Sequence, residues 1–285
     1  MMTQTASEII FLGQCKDQVG LDARITGFFA GELFNILDLA QHSERGHFFI
    51  RIEGCEEGER QAIQTWTEKF FPIARELDME YSFHDPLERP RVVLFCSKTL
   101  ACPLEIISRW MSGDLRIDLR AVVSNHLEIE PVMTKLGIPF HYVPTTGDSK
   151  LFEKKQLEII EQCDPDLVVL ARYMKILSAE FLAEARIPII NIHHSFLPSF
   201  IGNNPYEQAY RRGVKLIGAT AHFVTSALDE GPIIVQDVVR IGHQFSVLDM
   251  KQVGADIEKQ VLASALRKFI EHKIIDWQGR TIVFH

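Results

Sequence analysis

The sequence predicts an α/β protein in two parts, an N-terminal βαββαβ unit over 1–85 and a larger unit over 86–285 built on a mostly parallel sheet. Three observations carry this reading. Residues 8–84 pass through strand and helix patterns in the order βαββαβ. The stretch Asp85-Pro86-Leu87-Glu88-Arg89-Pro90 then breaks the pattern with two prolines and several charges, as a domain boundary does. Beyond it, short continuous apolar runs such as Val92-Val93-Leu94-Phe95 and Leu167-Val168-Val169-Leu170 alternate with helical stretches. Runs of that kind are what strands covered on both faces require, so helices should flank a parallel sheet. At 285 residues and 46% apolar, the chain can bury a large core.

In the first part the strands read Ile9–Leu12, Phe34–Leu39, His47–Ile52 and Glu80–Phe83, and the helices Gly20–Ala30 and Glu59–Glu76. That order is the ferredoxin-like arrangement, an antiparallel sheet with both helices on one face. Its first turn, Lys16-Asp17-Gln18-Val19-Gly20, leads from strand into helix, where backbone N–H groups can hold a carboxylate. After the break, strands Val92–Phe95, Ala121–Ser124, Phe140–Val143 and Leu167–Leu170 alternate with helices Leu104–Met111, Glu130–Leu136 and Leu151–Cys163. A β-branched strand then runs from Ile187 through Ile189 and Ile190 into Asn191, Ile192 and His193. Pro205 opens a short helix that Gly213 stops after Arg212. Ile217–Val224 is the next strand, Asp229-Glu230-Gly231-Pro232 a turn, Ile233–Val239 a strand, and Val247 to about His272 a long helix. Thr281–Phe284 reads as an edge strand.

Composition narrows the function. A net charge of −8 with interspersed signs leaves no basic block to neutralise phosphates, so nucleic acid is not the expected partner and a small molecule is. Cys15, Cys55, Cys96, Cys102 and Cys163 are scattered and odd in number, without a C-x-x-C pair, which fits reduced thiols in a cytoplasmic protein. No long apolar segment or signal peptide opens the chain, so no membrane partner is expected. There is no G-x-x-x-x-G-K-[ST], and the turn after Val92–Phe95 is Cys96-Ser97-Lys98-Thr99-Leu100, without the glycines of a dinucleotide site. No cofactor is called for.

The chemistry concentrates between Asn191 and Pro232. Alternation puts Asn191 and His193 on one side of their strand, at its carboxyl end, where the crevice of a parallel sheet lies. Asp229 is distant in sequence and offers a carboxylate that can close on the same site. An amide, an imidazole and a carboxylate supply the oxyanion partner, proton shuttle and orienting group that acyl transfer or hydrolysis needs. A nucleophilic Ser195 lacks a G-x-S-x-G elbow. A metal site from His193, His194 and His222 lacks H-E-x-x-H or cysteine spacing, and none is expected. His194 reads as structural; for His222, a place facing the site and a place in the core both stand.

The run Asn191-Ile192-His193-His194-Ser195-Phe196-Leu197-Pro198, with Leu228-Asp229-Glu230-Gly231-Pro232-Ile233-Ile234, closely resembles the folate-dependent formyltransferase superfamily. The doubled histidine, Leu170-Ala171-Arg172-Tyr173-Met174, Pro205-Tyr206-Glu207-Gln208-Ala209-Tyr210 and Gly213–His222 resemble its formyltetrahydrofolate deformylases. The stretch around Asp17, Gly20 and Asn35 is similar to an ACT domain. The resemblance implies an ACT-like domain before a Rossmann-like formyltransferase domain, with hydrolysis of 10-formyltetrahydrofolate to tetrahydrofolate and formate, feeding one-carbon and purine metabolism. It places catalysis on Asn191, His193 and Asp229, and folate binding on Arg172, Tyr173, Met174, Ile176, Leu177 and Gly202. It also implies an amino-acid effector at Asp17, Gly20 and Asn35, where the alternative is a plain helix cap, and a homo-oligomer. Two other readings remain: formyl transfer to glycinamide ribonucleotide, and a non-catalytic amino-acid-sensing protein. The first lacks its phosphate-binding turn at Cys96-Ser97-Lys98-Thr99, and the intact trio counts against the second. Departures fall at Ile201 and Asn203, at Lys175 and at Ala101-Cys102-Pro103, all beside the expected pocket.

Overall fold

The computed structural model describes residues 8–57, 61–199 and 204–285. They form two compact units. The first contains the chain up to Glu88 together with Glu271–Ile275 and Ile282–His285, and the second contains Arg89–Ile270 with Asp276–Thr281. The chain end therefore returns to the first unit, which a continuous second part over 86–285 does not anticipate.

The first unit runs β1 (Glu8–Lys16), α1 (Leu21–Gly31), β2 (Phe34–Glu44), β3 (His47–Glu56), α2 (Ile63–Leu77) and β4 (Glu80–His84). Its four strands lie in the order β2-β3-β1-β4, all antiparallel, which is the split βαβ arrangement. Ile9 and Phe11 of β1 and Phe48, Ile50 and Ile52 of β3 alternate onto one core with Ile25 and Phe29 of α1 and Trp66 and Phe70 of α2. The expected start of α2 at Glu59 lies outside the described residues; Gln61 and Ala62 precede the helix, and buried Glu56 accepts from Gln61 N–H and from Trp66 Nε1 at 2.9 Å. Arg51, 2% exposed, donates to the backbone oxygens of Glu271 and His272, and the rings of His84 and His272 stack 3.7 Å apart.

The second unit holds β5 (Arg91–Cys96), α3 (Ala101–Met111), β6 (Asp118–Ser124), α4 (Glu130–Leu136), β7 (Phe140–Tyr142), α5 (Ser149–Cys163), β8 (Leu167–Ala171), α6 (Ala179–Ala185), β9 (Ile189–His193), α7 (Pro205–Arg212), β10 (Leu216–Phe223), β11 (Ile233–Arg240) and α8 (Val247–Ile270). The seven strands lie in the order β11-β10-β9-β8-β5-β6-β7. From β7 to β9 the neighbours are parallel, whereas β10 is antiparallel to both β9 and β11. Val92, Val93, Leu94 and Phe95 of β5 are all 0% exposed, as a strand covered on both faces must be. The chain builds outward from β5 to β7, then returns through β8 to β11, so the order reverses between β5 and β8. The crevice outside the carboxyl ends of those strands is the ligand position of such a sheet.

The expected edge strand Thr281–Phe284 is β13 (Arg280–Val283), which pairs with β12 (Ile274–Trp277) in a two-stranded ribbon of its own. Helix α6 and strand β12 were not expected. Helix α3 starts at Ala101 rather than Leu104, with Pro103 in its first turn where no helical N–H is needed. Among the described residues no helix is long and apolar enough to cross a membrane.

Burial pushes His84 down to about 4 and His272 down to about 3, so both are neutral in the folded chain. Their folded values lie below the ordinary 6.5, so the unfolded chain takes up protons that the folded chain refuses as pH falls. The contribution of this pair to stability is complete above about pH 6.5 and is lost progressively as pH falls toward about 3. His84→Phe keeps a stacked ring and removes one titrating group. Urea midpoints taken at several pH values between those limits should fall less steeply in that variant, and an unchanged slope would count against the pair.

Candidate active site

Strands β9 and β10 set the site. In their antiparallel register Asn191 faces His222 and His193 faces Thr220. Opposed residues share a face of the sheet, and Asn191 and His193 are two apart, so amide and both imidazoles point the same way. The turn after β10 brings Asp229 back onto that face. Asp229 itself sits at φ 56, in the left-handed region. At Gly231 a Cβ would lie 1.7 Å from the Phe223 carbonyl oxygen, so only glycine lets the turn lie this close to the strand.

The result is a single carboxylate facing two imidazoles. Asp229 Oδ1 is 3.2 Å from His193 Nδ1 and 3.7 Å from His222 Nε2. His222 Nδ1 lies 2.9 Å from the Phe223 carbonyl, which can only accept, so that nitrogen carries the proton. Nε2 is then left to accept from Asn191 Nδ2 at 3.3 Å. Burial lowers the pKa of His222, in keeping with a neutral ring, so its separation from Asp229 is not an ion pair. Asp229 is held below the ordinary carboxylate value, chiefly by the hydrogen bond from His193. His193 is buried, and its Nε2 has no hydrogen-bond partner among the described residues. A buried ring nitrogen with no partner in the protein can bond a ligand or a water.

Asn191, His193, His222 and Asp229 line a cavity of about 280 Å³ whose other walls are 172–177 and 224–228. Met174 and Ile176 are 58% and 69% exposed, so they are pocket wall and not core. Tyr173 and Leu177 instead pack into the core with Val93 and Phe95, and what they offer the cavity is backbone. One backbone donor of this wall is already used: Met174 N–H donates to Ser97 Oγ at 3.3 Å. Ser97 Oγ in turn donates to Asn125 Oδ1 at 2.8 Å, so the turn after β5 braces the wall. Gly202, with Ile201 and Asn203, lies outside the described residues.

The competing sequence readings can be placed as well. Ser195 Oγ donates to the Ser199 carbonyl at 2.8 Å and shapes its own loop. His194 stacks on His193 and meets the Tyr206 ring at a tilt, and burial pushes it down to about 4. Among the described residues no group of His, Cys, Asp and Glu could hold a metal ion. In the first unit Gly20 caps α1 with φ 90 and no side-chain bond, and Asp17 and Asn35 are exposed. The sequence left His222 undecided and did not reveal buried Glu258, which meets Arg172 at the start of the wall.

A strand-end amide and imidazole closed by a turn carboxylate, on a sheet of this order, define an acyl-group enzyme. Residues 90–266 match the formyl transferase family. Over 278 residues the chain is 44% identical to the formyltetrahydrofolate deformylase of Bacillus subtilis (strain 168), covering 96% of this chain and 93% of that protein. It is 41% identical to that of Synechocystis, with 100% of both covered. A crystal structure of a formyltetrahydrofolate deformylase from Pseudomonas syringae pv. tomato superposes with TM-score 0.95 at 38% identity, covering 100% of this chain and 96% of that one. Glycinamide ribonucleotide transformylase 1 from Symbiobacterium toebii matches with TM-score 0.66 at 26% identity, over 71% of this chain and 97% of its own. The chain belongs to the formyl transferase family and, within it, to the formyltetrahydrofolate deformylases.

Gly231→Ala should push the turn off β10 and displace Asp229 from His193. Misplacement of about 1 Å costs on the order of a hundredfold in rate. The variant is expected to fold, as circular dichroism can check, and to lose turnover by that order. Wild-type kcat in a folded Gly231→Ala protein would show that the close approach does not matter.

Proposed function

We propose that the chain hydrolyses 10-formyltetrahydrofolate to tetrahydrofolate and formate. The observation that carries this is the His193–Asp229 pair at 3.2 Å, its open Nε2 in a cavity whose wall exposes Met174 and Ile176. The apolar pair gives a flat pterin ring something to lie against, and backbone groups of 172–177 can read its polar edge. The formyl carbon then lies beside the trio.

Water adds to that carbon, forming a C–O bond, and negative charge gathers on the carbonyl oxygen. Asn191, and His193 in its doubly protonated form, donate to that oxygen. Asp229 orients the water and takes its proton directly, and that proton is returned to N10 as the N–C bond breaks. Water, the formyl amide and these side chains balance the reaction, so no cofactor enters it. His222 is the neutral partner that fixes the Asn191 amide by accepting from its Nδ2.

Water is the acceptor in this reading because the turn after β5 lacks a glycine-rich phosphate cradle and its Ser97 hydroxyl is engaged by Asn125 and Met174. The first unit is read as an ACT-like domain that takes an amino-acid effector near Asp17, Gly20 and Asn35. Strand β2 is one open edge of its sheet, a place for edge-to-edge pairing into a homo-oligomer. The scattered, unpaired cysteines fit a cytoplasmic setting.

Purified protein given 10-formyltetrahydrofolate should release formate with no acceptor present. Release at background level, with turnover on adding glycinamide ribonucleotide, would reverse the assignment. Asp229→Asn should fold normally and lose roughly 10²- to 10⁴-fold in kcat, the range for a group moving protons in the transition state.

A further inference from the structure

The wall 172–177 opens with a residue in an uncommon state. Arg172 has φ 62, a left-handed backbone that a long side chain keeps only when its surroundings hold it. Its guanidinium is engaged by Glu258 of α8. Arg172 Nη1 lies 3.1 Å from each carboxylate oxygen of Glu258, which is 2% exposed. The Tyr206 hydroxyl donates to the same carboxylate at 2.8 Å. One turn before Glu258, a Cβ on Gly254 would lie 2.0 Å from that hydroxyl, so the helix is hollowed there to seat Tyr206. Burial raises the pKa of Glu258, and Arg172 and Tyr206 oppose the rise.

The rest of the wall is tied in the same manner. The Tyr173 hydroxyl accepts from Gln156 Nε2 at 2.6 Å, and Met174 N–H reaches Ser97. Just past the far end, Ser178 donates from N–H and Oγ to buried Glu153, at 2.9 and 2.6 Å. Two buried carboxylates, one near each end, thus fix a segment whose middle residues stand out toward the cavity. Neither carboxylate lines the cavity that holds the trio.

We infer that Glu258 is a positioning residue for the folate site: through Arg172 it sets the conformation of the wall against which the pterin lies. This rests on the reading of 172–177 as the folate wall. Glu258 keeps Arg172 in its left-handed turn, and the turn aims Met174 and Ile176 outward. Loss of the charge frees the wall without touching the reacting atoms, so binding suffers and the chemical step does not.

Steady-state kinetics on the full-length protein test this with Glu258→Gln, Arg172→Met and the double variant. Glu258→Gln should raise KM for 10-formyltetrahydrofolate about tenfold and leave kcat within about twofold, with an unmoved pH profile. The double variant should show the KM of Arg172→Met alone, because both changes cut one link. A KM unchanged in a folded Glu258→Gln protein would overturn the inference. So would a collapse of kcat with a shifted pH profile, which would mean that Glu258 acts on His193 directly, or KM effects that multiply in the double variant. If Glu258→Gln does not fold, Arg172→Met/Glu258→Met removes both charges and keeps an apolar contact. Its KM must then equal that of Arg172→Met. Failure of the wild type to release formate would sink the folate reading and this inference with it, whereas formate release by the wild type with an unchanged KM in Glu258→Gln sinks this inference alone.

Discussion

One carboxylate oxygen facing two imidazoles is the constraint on which the site depends. With Asp229 charged, His193 is oriented by its Nδ1–H, and its other nitrogen is aimed into the cavity. His222 is held the opposite way round by the Phe223 carbonyl, so it presents a lone pair to the Asn191 amide. The two rings therefore have different jobs although they sit on facing strands. A hydrogen bond from His193 to a charged, partly buried oxygen contributes about 1.5–3 kcal/mol, enough to keep the turn closed against its left-handed residue. That strain at Asp229 is a local cost offset by the bond it makes possible.

The sheet makes this pairing available. Had β10 run parallel to β9, residues would not have met in directly opposed pairs, and Asn191 would not face His222 squarely. The antiparallel strand at the end of a parallel run also lets its following turn fold back over the same crevice. At the reversal of strand order, the end of β8 leads straight into Arg172 and the end of β5 into Ser97. Wall, brace and trio thus occupy neighbouring strand ends, and the chemistry of each is set by the turn that its strand runs into.

Much of this was legible in the chain. Continuous apolar runs mark the buried strands, and alternation alone puts Asn191 and His193 on one side. The approach of Asp229 is not written in the spacing; the turn geometry supplies it, through Gly231. Helix α6 was missed although Ser178 caps it through a bond from Phe181 N–H, a signal the sequence carried as Ser before Ala-Glu. The β12–β13 ribbon was also signalled, by Gln278-Gly279, both at positive φ, as a two-residue hairpin turn requires. Glu258 was a different matter. On a long helix it reads as one more charged residue, and only the packing of α8 makes it buried and paired with Arg172. No periodicity records a contact across 86 positions.

The exposed apolar wall gives the buried polar anchors their physical reason. Met174 and Ile176 standing in water would gain by turning inward, since burying such side chains contributes roughly 1.5–3 kcal/mol each. Tyr173 and Leu177, their neighbours, do turn inward. Charge-assisted and backbone bonds to Glu258, Ser97 and Glu153 fix which residues face out. In the proposed function this apolar surface is kept open for the pterin ring, so the wall is ordered in advance of binding. The same bonds explain why polar residues cluster beneath an apolar pocket: they hold in place a surface that the hydrophobic effect alone would close.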